Sequence, residues 1–270
     1  MRKTEAENTD AAAPVLYTAN EDGVVTISLN RPETRNALDD EMFAALHQAL
    51  VRVESDPAAR CVVLTSTHDS VFSAGGNLKG FAAVESMVAK HFRNSTFPGL
   101  TQAIMTAKVP VLCALNGHAL AGGLGLLLAC DLVIAKAGVR IGTPEINVGV
   151  FPFMLSALMQ RNMPRKRLAE LVFMGEQLGV EEAKELGIVN RVVAADQFAE
   201  AVRDWSVRLA AKSPLLLKLG KQALFEQQDL PLMQALGLLA HYLTLAQGTE
   251  DMKEGVAAFM EKRSPVWKGA

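Results

Sequence analysis

The chain predicts an α/β fold: a body built on a mostly parallel sheet, followed by a C-terminal region that is almost wholly helical. Three observations carry this. Short β-branched or fully apolar runs, the pattern of buried strands, recur through the first two thirds of the chain. Segments with apolar residues at helical spacing separate them, an alternation typical of parallel sheets, whose strands are joined by crossovers. From about residue 180 onward, one helical pattern follows another. Half of the 270 residues are apolar, enough for a sizeable core. The formal charge of −2, with acids and bases interspersed, gives no electrostatic reason to expect nucleic acid as a partner.

Taken in order, residues 1–13 read as a disordered tail. Its Glu5, Glu7 and Asp10, with no apolar segment, argue against a secretory signal or an acid-poor transit peptide. No later apolar stretch has the length a bilayer demands, so a soluble, cytoplasmic protein is expected. "GVVTISLN" (23–30) is β-branched and alternating, hence a strand, and it runs into the Pro- and Asn-bearing turn "RPETRNAL" (31–38). In "DDEMFAALHQALVRVESD" (39–56), Phe43, Leu46, Leu50 and Val53 recur at helical spacing behind a capping Asp. "CVVLTS" (61–66), "PVLCALNG" (110–117), "DLVIAK" (131–136) and "RVVA" (191–194) are further strands. Helices are expected at about 97–108, 122–130, 152–163 and 165–175. The boundaries that follow are a tail at 1–13, a body at 14–195 and a helical region at 196–270.

In that last region Leu232, Leu236, Leu239 and Leu243 share a helical spacing, with Met233 and Tyr242 beside them. They suit burial against a neighbouring subunit or against the chain's own body. Cys61, Cys113 and Cys130 lie in apolar runs without CxxC spacing and are expected to be reduced core thiols, so no metal site is expected.

The chemistry concentrates in glycines. "NGHALAGGLGLLLACDLVIA" (116–135) opens an apolar helix with Gly122 and Gly123 and carries Gly125 inside it. Glycine in a helix interior costs up to roughly 1 kcal/mol relative to alanine, so a reason is needed. The first amides of a helix lack intrahelical partners, and glycine lets a ligand oxygen approach them closely. The same glycines also suit close helix–sheet packing. A second glycine turn, Gly75 and Gly76 in "VFSAGGNLKGF" (71–81), makes a pair of amides facing one oxygen geometrically attainable, the arrangement of an oxyanion hole. "IGTPEINVGVFPF" (141–153) places Glu145 on an irregular turn in apolar company, where desolvation raises its pKa and suits it to proton transfer. His118 reads as a packing residue, Asp131 as a helix or strand terminator, and Ser73 lacks the GxSxG setting of a hydrolase nucleophile.

"NRPETRNAL", "FSAGGNLKG", "PVLCALNGHALAGGLGLLLACDLVIA", "TPEINVGVFP", "EEAKELGIVNRVV" and the ending "EKRSPVWKG" occur in order over about residues 14–268. Together they resemble the crotonase superfamily, the enoyl-CoA hydratases and isomerases. The resemblance implies a spiral of repeated ββα turns and a helical C-terminal region that trimerises, often into a dimer of trimers. The implied substrate is an acyl-CoA thioester, with coenzyme A as part of the substrate and no tightly bound cofactor. By motif position the resemblance assigns the oxyanion amides to Gly76 and Gly122. It places Ala37, Leu38, Ala74 and Gly75 along the path of the coenzyme and gives Glu145 the catalytic carboxylate.

In hydratases of this family the helix carries "GGGCEL", whose Glu is the first of two catalytic carboxylates. Here the matching letters are "AGGLGL" and the position is Gly125; Asn77 also stands where the family more often has Asp. A single carboxylate suits 3,2-enoyl-CoA isomerisation, which needs no water, and "GVFPF" fits the isomerase branch. The alternatives are a 2-enoyl-CoA hydratase working without the first Glu, aided by Asp69, Glu85 or water alone, and an acyl-CoA-binding subunit without catalysis. The acyl pocket is expected around residues 81–100 with Phe151, Phe153 and Met154.

Overall fold

A computed structural model of the protein describes residues 11–77 and 85–270. Residues 1–10 of the expected tail, and residues 81–84 of the expected acyl pocket, fall outside the described residues. Residues 11–13 form a turn whose Ala11 and Ala13 carbonyls accept from the Asn30 side chain, both at 2.9 Å.

The five strands expected from the sequence assemble, with an edge strand at Val15–Ala19 that the sequence reading does not include, into one six-stranded sheet. β1 (Val15–Ala19) pairs antiparallel with β2 (Val24–Leu29). Parallel to β2 lie β4 (Cys61–Ser66), β7 (Val111–Leu115), β9 (Leu132–Lys136) and β12 (Arg191–Val193), in that order across the sheet. Successive residues alternate between two cores. Val25, Val62, Leu64, Cys113, Leu115 and Val133 enter the main core. Val24, Cys61, Val63, Leu112, Ala114 and Ile134 face a smaller one on the other side. Burial on both faces is why these strands read as continuous apolar runs.

A second layer of very short strands was not anticipated. β5 (Val71–Ser73), β8 (His118–Leu120), β10 (Arg140–Gly142) and β11 (Gln177–Gly179) form a four-stranded sheet. β3 (Ala37–Leu38) pairs with β6 (Gly75–Gly76). Runs of two or three residues are too short to show an alternating pattern. Each turn of the chain sends one strand to the large sheet (β4, β7, β9) and the next to the small one (β5, β8, β10), which is the expected ββα spiral.

Helices fill the returns. α1 (Asp40–Ser55) buries Met42, Leu46, Ala49, Leu50 and Val53, and the Asp39 carboxylate caps it by accepting from the Met42 amide. α2 (Met87–Asn94) and α3 (Thr96–Met105) lead into β7, and α4 (Gly122–Ala129) follows β8. α5 (Phe153–Asn162), α6 (Arg165–Met174) and α7 (Val180–Glu185) complete the body. α8 (Phe198–Ala210) covers the smaller core with Ala201 and Trp205. α9 (Pro214–Gln227), α10 (Leu232–Gly248) and α11 (Glu250–Glu261) form the C-terminal region.

A largely buried ion pair ties that region to the body, beside an exposed one between Arg161 and Asp229. Lys221 of α9, only 7% exposed, donates to Asp131 at 2.6 Å and to the carbonyls of Ile104 and Val109. Asp131 also accepts from the Val111 amide, so it serves the strand edge and not a reaction. The three cysteines are free, and burial pushes the Cys61 thiol up to about 12, which makes it inert as a nucleophile.

Candidate active site

Two glycine turns meet because buried polar residues shape the first. Asn36 has a left-handed backbone (φ +52) and is wholly buried. Its amide nitrogen donates to Ser66 Oγ (2.7 Å) and the Phe72 carbonyl (3.0 Å), while its Oδ1 accepts from the Arg31 amide (2.7 Å). Ser73 Oγ donates to the Asn36 carbonyl and accepts from the Gly75 amide. These bonds set the 73–76 turn against β3. Gly75 sits at φ +90, where a Cβ would lie 2.4 Å from the Ala121 Cβ and 3.0 Å from the Gly122 amide nitrogen. Only glycine fits there.

The second turn carries backbone strain. Ala121, just before α4, holds φ +50 and ψ −125, a combination that alanine rarely adopts, and its amide donates to the Gly142 carbonyl. This conformation aims the start of α4, whose first amides have no intrahelical acceptor, at the first turn. A Cβ on Gly122 would stand 3.8 Å from the Gly76 amide nitrogen. The two turns are therefore in contact, as the oxyanion arrangement requires.

The other helix glycines serve packing. A Cβ on Gly123 would lie 2.6 Å from the Ser73 carbonyl oxygen, so its absence lets α4 rest directly on β5. A Cβ on Gly125 would lie 2.4 Å from Cζ and 2.8 Å from Cε2 of Phe97. The space beside Gly125 is thus filled by an aromatic ring from α3.

A cavity of about 860 Å³ opens beside these turns, lined by Leu38, Ala74, Gly76, Gly122 and Glu145, with Phe97 and Phe151 among its apolar walls. Glu145 is in a 3₁₀ turn, Pro144–Val148, that ends on Gly149 at φ +78. Its Oε2 is buried without a hydrogen-bond partner. Desolvation raises its pKa above the usual carboxylate value, against a smaller lowering by its own backbone amide. The other acids on the wall are differently placed. Asp39 caps α1 and pairs with Arg31, Glu41 is exposed and pairs with Arg31, and Asp40 is exposed.

Among the sequence candidates, Leu38, Ala74, Gly76, Gly122 and Glu145 come together on the cavity, and so do Asn77, Phe151, Phe153 and Met154. Ala37 and Gly75 pair with each other between β3 and β6 and do not line it. Of the expected pocket segment 81–100, residues 81–84 lie outside the described residues, while Arg93, Asn94, Thr96 and Phe97 line the wall. Asp69 is exposed and away from the cavity, and Glu85 is ion-paired with Arg93 at 2.6 Å and does not line it. Neither is placed as a second carboxylate. His118 Nδ1 accepts from the Arg140 amide, a bond between strands. Sequence reasoning missed Asn36 and Ser73 as supports and Phe97 as the occupant of the space at position 125. Asn36 had a visible signal, an Asn beside the turn "RPETR", whereas nothing local pairs residue 97 with 125.

Among the described residues, no group of three or more His, Cys, Asp or Glu could hold a metal ion. No described helix is long and apolar enough to cross a membrane.

Comparison with known proteins bears on the family and the fold. Residues 19–270 match the model of the enoyl-CoA hydratase/isomerase family. A putative enoyl-CoA hydratase of Thermus thermophilus is 36% identical, over 90% of this chain and 96% of its own. An (E)-benzylidenesuccinyl-CoA hydratase of Thauera aromatica is 34% identical, over 92% of this chain and 96% of its own. The crystal structure of an enoyl-CoA hydratase from Mycobacterium smegmatis superimposes with a TM-score of 0.90 at 32% identity, covering 94% of this chain and 98% of that one. The chain belongs to the enoyl-CoA hydratase/isomerase family of the crotonase superfamily and is an acyl-CoA enzyme of that type.

Proposed function

We propose that this enzyme shifts the double bond of a 3-enoyl-CoA thioester to the 2-position, with Glu145 as its single acid and base. The observation that carries the reading is Glu145 itself: a half-buried carboxylate with an unpartnered Oε2, on the same cavity as two touching glycine turns, with no carboxylate at position 125. The Glu145 carboxylate takes a proton from C2. The electron pair moves onto the thioester oxygen, which the amides of Gly76 and Gly122 hold. The protonated Glu145 then returns the proton at C4. No water is consumed, so one acid suffices. Charge develops on the oxygen only during reaction, which is where fixed backbone donors act most strongly.

Raising the carboxylate pKa by burial brings it closer to the pH at which it must first accept and then release a proton. Leu38, Ala74 and the adjoining wall are the proposed path of the coenzyme.

A second reading, hydration of 2-enoyl-CoA, is favoured by the names of the relatives, which are hydratases. The two are separated by assaying the purified protein on 3-hexenoyl-CoA and crotonyl-CoA. Isomerisation exceeding hydration, with isomerisation lost by about 10²-fold or more in Glu145→Gln, is expected. Hydration as the dominant activity would replace the first reading by the second. Turnover of neither thioester, with coenzyme A still bound, would point to the non-catalytic subunit.

The exposed apolar side chains of α10 support assembly with further copies of the chain, as a trimer or a dimer of trimers.

A further inference from the structure

The wall facing the proposed reaction is closed by an unusual pair. Position 125 is three residues after Gly122 on α4, so both lie on one face of the helix; Gly122 lines the cavity, and the face at 125 meets Phe97 and Leu155, which also line it. A side chain at 125 would project there. The space is taken by the Phe97 ring, which comes from the first turn of α3 and is 8% exposed, and Leu155 Cδ1 stands 3.4 Å from the missing Cβ. Phe97 and Leu155 both line the cavity. The ring's backbone is held in place: Thr101 Oγ, buried, donates to the carbonyls of Phe97 and Pro98 at 3.1 and 2.9 Å. Among the described residues, the side-chain atoms nearest the missing Cβ are hydrocarbon, from Phe97 and Leu155.

We propose that Phe97 is a specificity-determining residue: its ring, fitted against Gly125, keeps water from the reacting carbons and so favours return of the proton to carbon over hydration. This rests on the reading of Glu145 as sole acid and base. Hydration would require a water molecule to form the O–C3 bond while a proton is delivered to C2. The Phe97 ring fills the space beside Gly125 and gives a water there no group to orient it. The proton held by Glu145 then has only carbon to return to.

The test uses Phe97→Leu and Phe97→Ala, alone and combined with Gly125→Glu, in the full-length protein. Folding is checked by circular dichroism and melting temperature, and both thioester activities are measured. In Phe97→Leu the ratio of crotonyl-CoA hydration to 3-hexenoyl-CoA isomerisation is expected to rise at least tenfold. In deuterium oxide the variant should also wash more solvent deuterium into C4 of the isomerised product than wild type does. Gly125→Glu alone should melt lower than wild type because of the clash, and Phe97→Ala should rescue it while raising hydration further. A folded Phe97→Leu with an unchanged hydration rate and unchanged deuterium content overturns the inference. If Phe97→Ala does not fold, the Phe97→Leu result decides. The reading of Glu145 is judged separately, by wild type and Glu145→Gln on 3-hexenoyl-CoA, so each idea can fail without the other.

Discussion

At the scale of single residues, burial of Glu145 raises its pKa, which suits the proton transfer proposed for it and costs stability. In the proposed isomerisation the carboxylate acts in its ionised form, so the rate should rise with pH through a folded-state pKa that desolvation raises above the usual carboxylate value. The linkage has the corresponding sign. Because the folded pKa lies above the unfolded one, the folded state binds the proton more tightly. Stability from this group is therefore full below the unfolded pKa and is lost as pH rises through the folded pKa. Glu145→Gln should remove the activity and be more stable than wild type at neutral pH, with the difference vanishing in acid. Denaturant titrations at several pH values measure this. A Gln variant that loses stability at neutral pH would contradict the desolvated carboxylate. Asn36 works through geometry instead. Asn36→Ala leaves the Ser66, Phe72 and Arg31 groups without their buried partner and should cost about 2 to 4 kcal/mol in urea unfolding, with a loss of kcat from the displaced glycine turn.

At the scale of elements, α4 shows why three glycines stand in one short helix. Gly122 lies against the first turn, Gly123 against a strand backbone and Gly125 against Phe97, so each missing Cβ answers a different neighbour. The helix is buried along nearly its whole length and has no polar face to orient it. Its direction comes from strained Ala121 and from the turn it meets. Gly75→Ala, which adds a Cβ both at positive φ and into Ala121, should destabilise by at least about 2 kcal/mol and suppress turnover. Thermal melts and steady-state assays test both parts. On the far side, Lys221→Met removes the donor shared by Asp131 and two carbonyls. About 1 to 3 kcal/mol of stability should be lost, less than for a fully buried pair because Asp131 keeps the Val111 amide and is 31% exposed. Since α9 is remote from the cavity wall, KM for the thioester should stay near wild type.

At the scale of the whole molecule, the chain leaves more apolar surface on its C-terminal helices than a lone subunit needs. Leu232 and Met233 are 72% and 76% exposed, and Leu236 and Leu243 are also exposed, while Ala235 alone of α10 is buried. The choice between packing on the body and packing on a neighbour, open in the sequence, is thereby narrowed: these side chains do not rest on their own body. Sedimentation velocity should show an oligomer at micromolar concentration. Leu232→Asp combined with Met233→Asp should shift it toward the monomer without changing the monomer's circular dichroism. A wild-type monomer at that concentration would remove the case for assembly through α10.

The sequence by itself determined five of the six strands of the large sheet, because strands such as Cys61–Ser66 and Val111–Leu115 are buried on both faces and show as unbroken apolar runs, whereas the edge strand Val15–Ala19 does not. It also determined the candidate carboxylate and both glycine turns, since an acid in apolar company and paired glycines are local features. Only the tertiary structure decided the rest. Two- and three-residue strands exist through their partners, Ala37 is paired with Gly75 between β3 and β6, and Glu85 is engaged by Arg93. What replaces a side chain at position 125 is likewise a matter of contact between α3 and α4. A residue's pattern along the chain reports its own environment, but the shape that fills a missing side chain's place belongs to a neighbour distant in sequence.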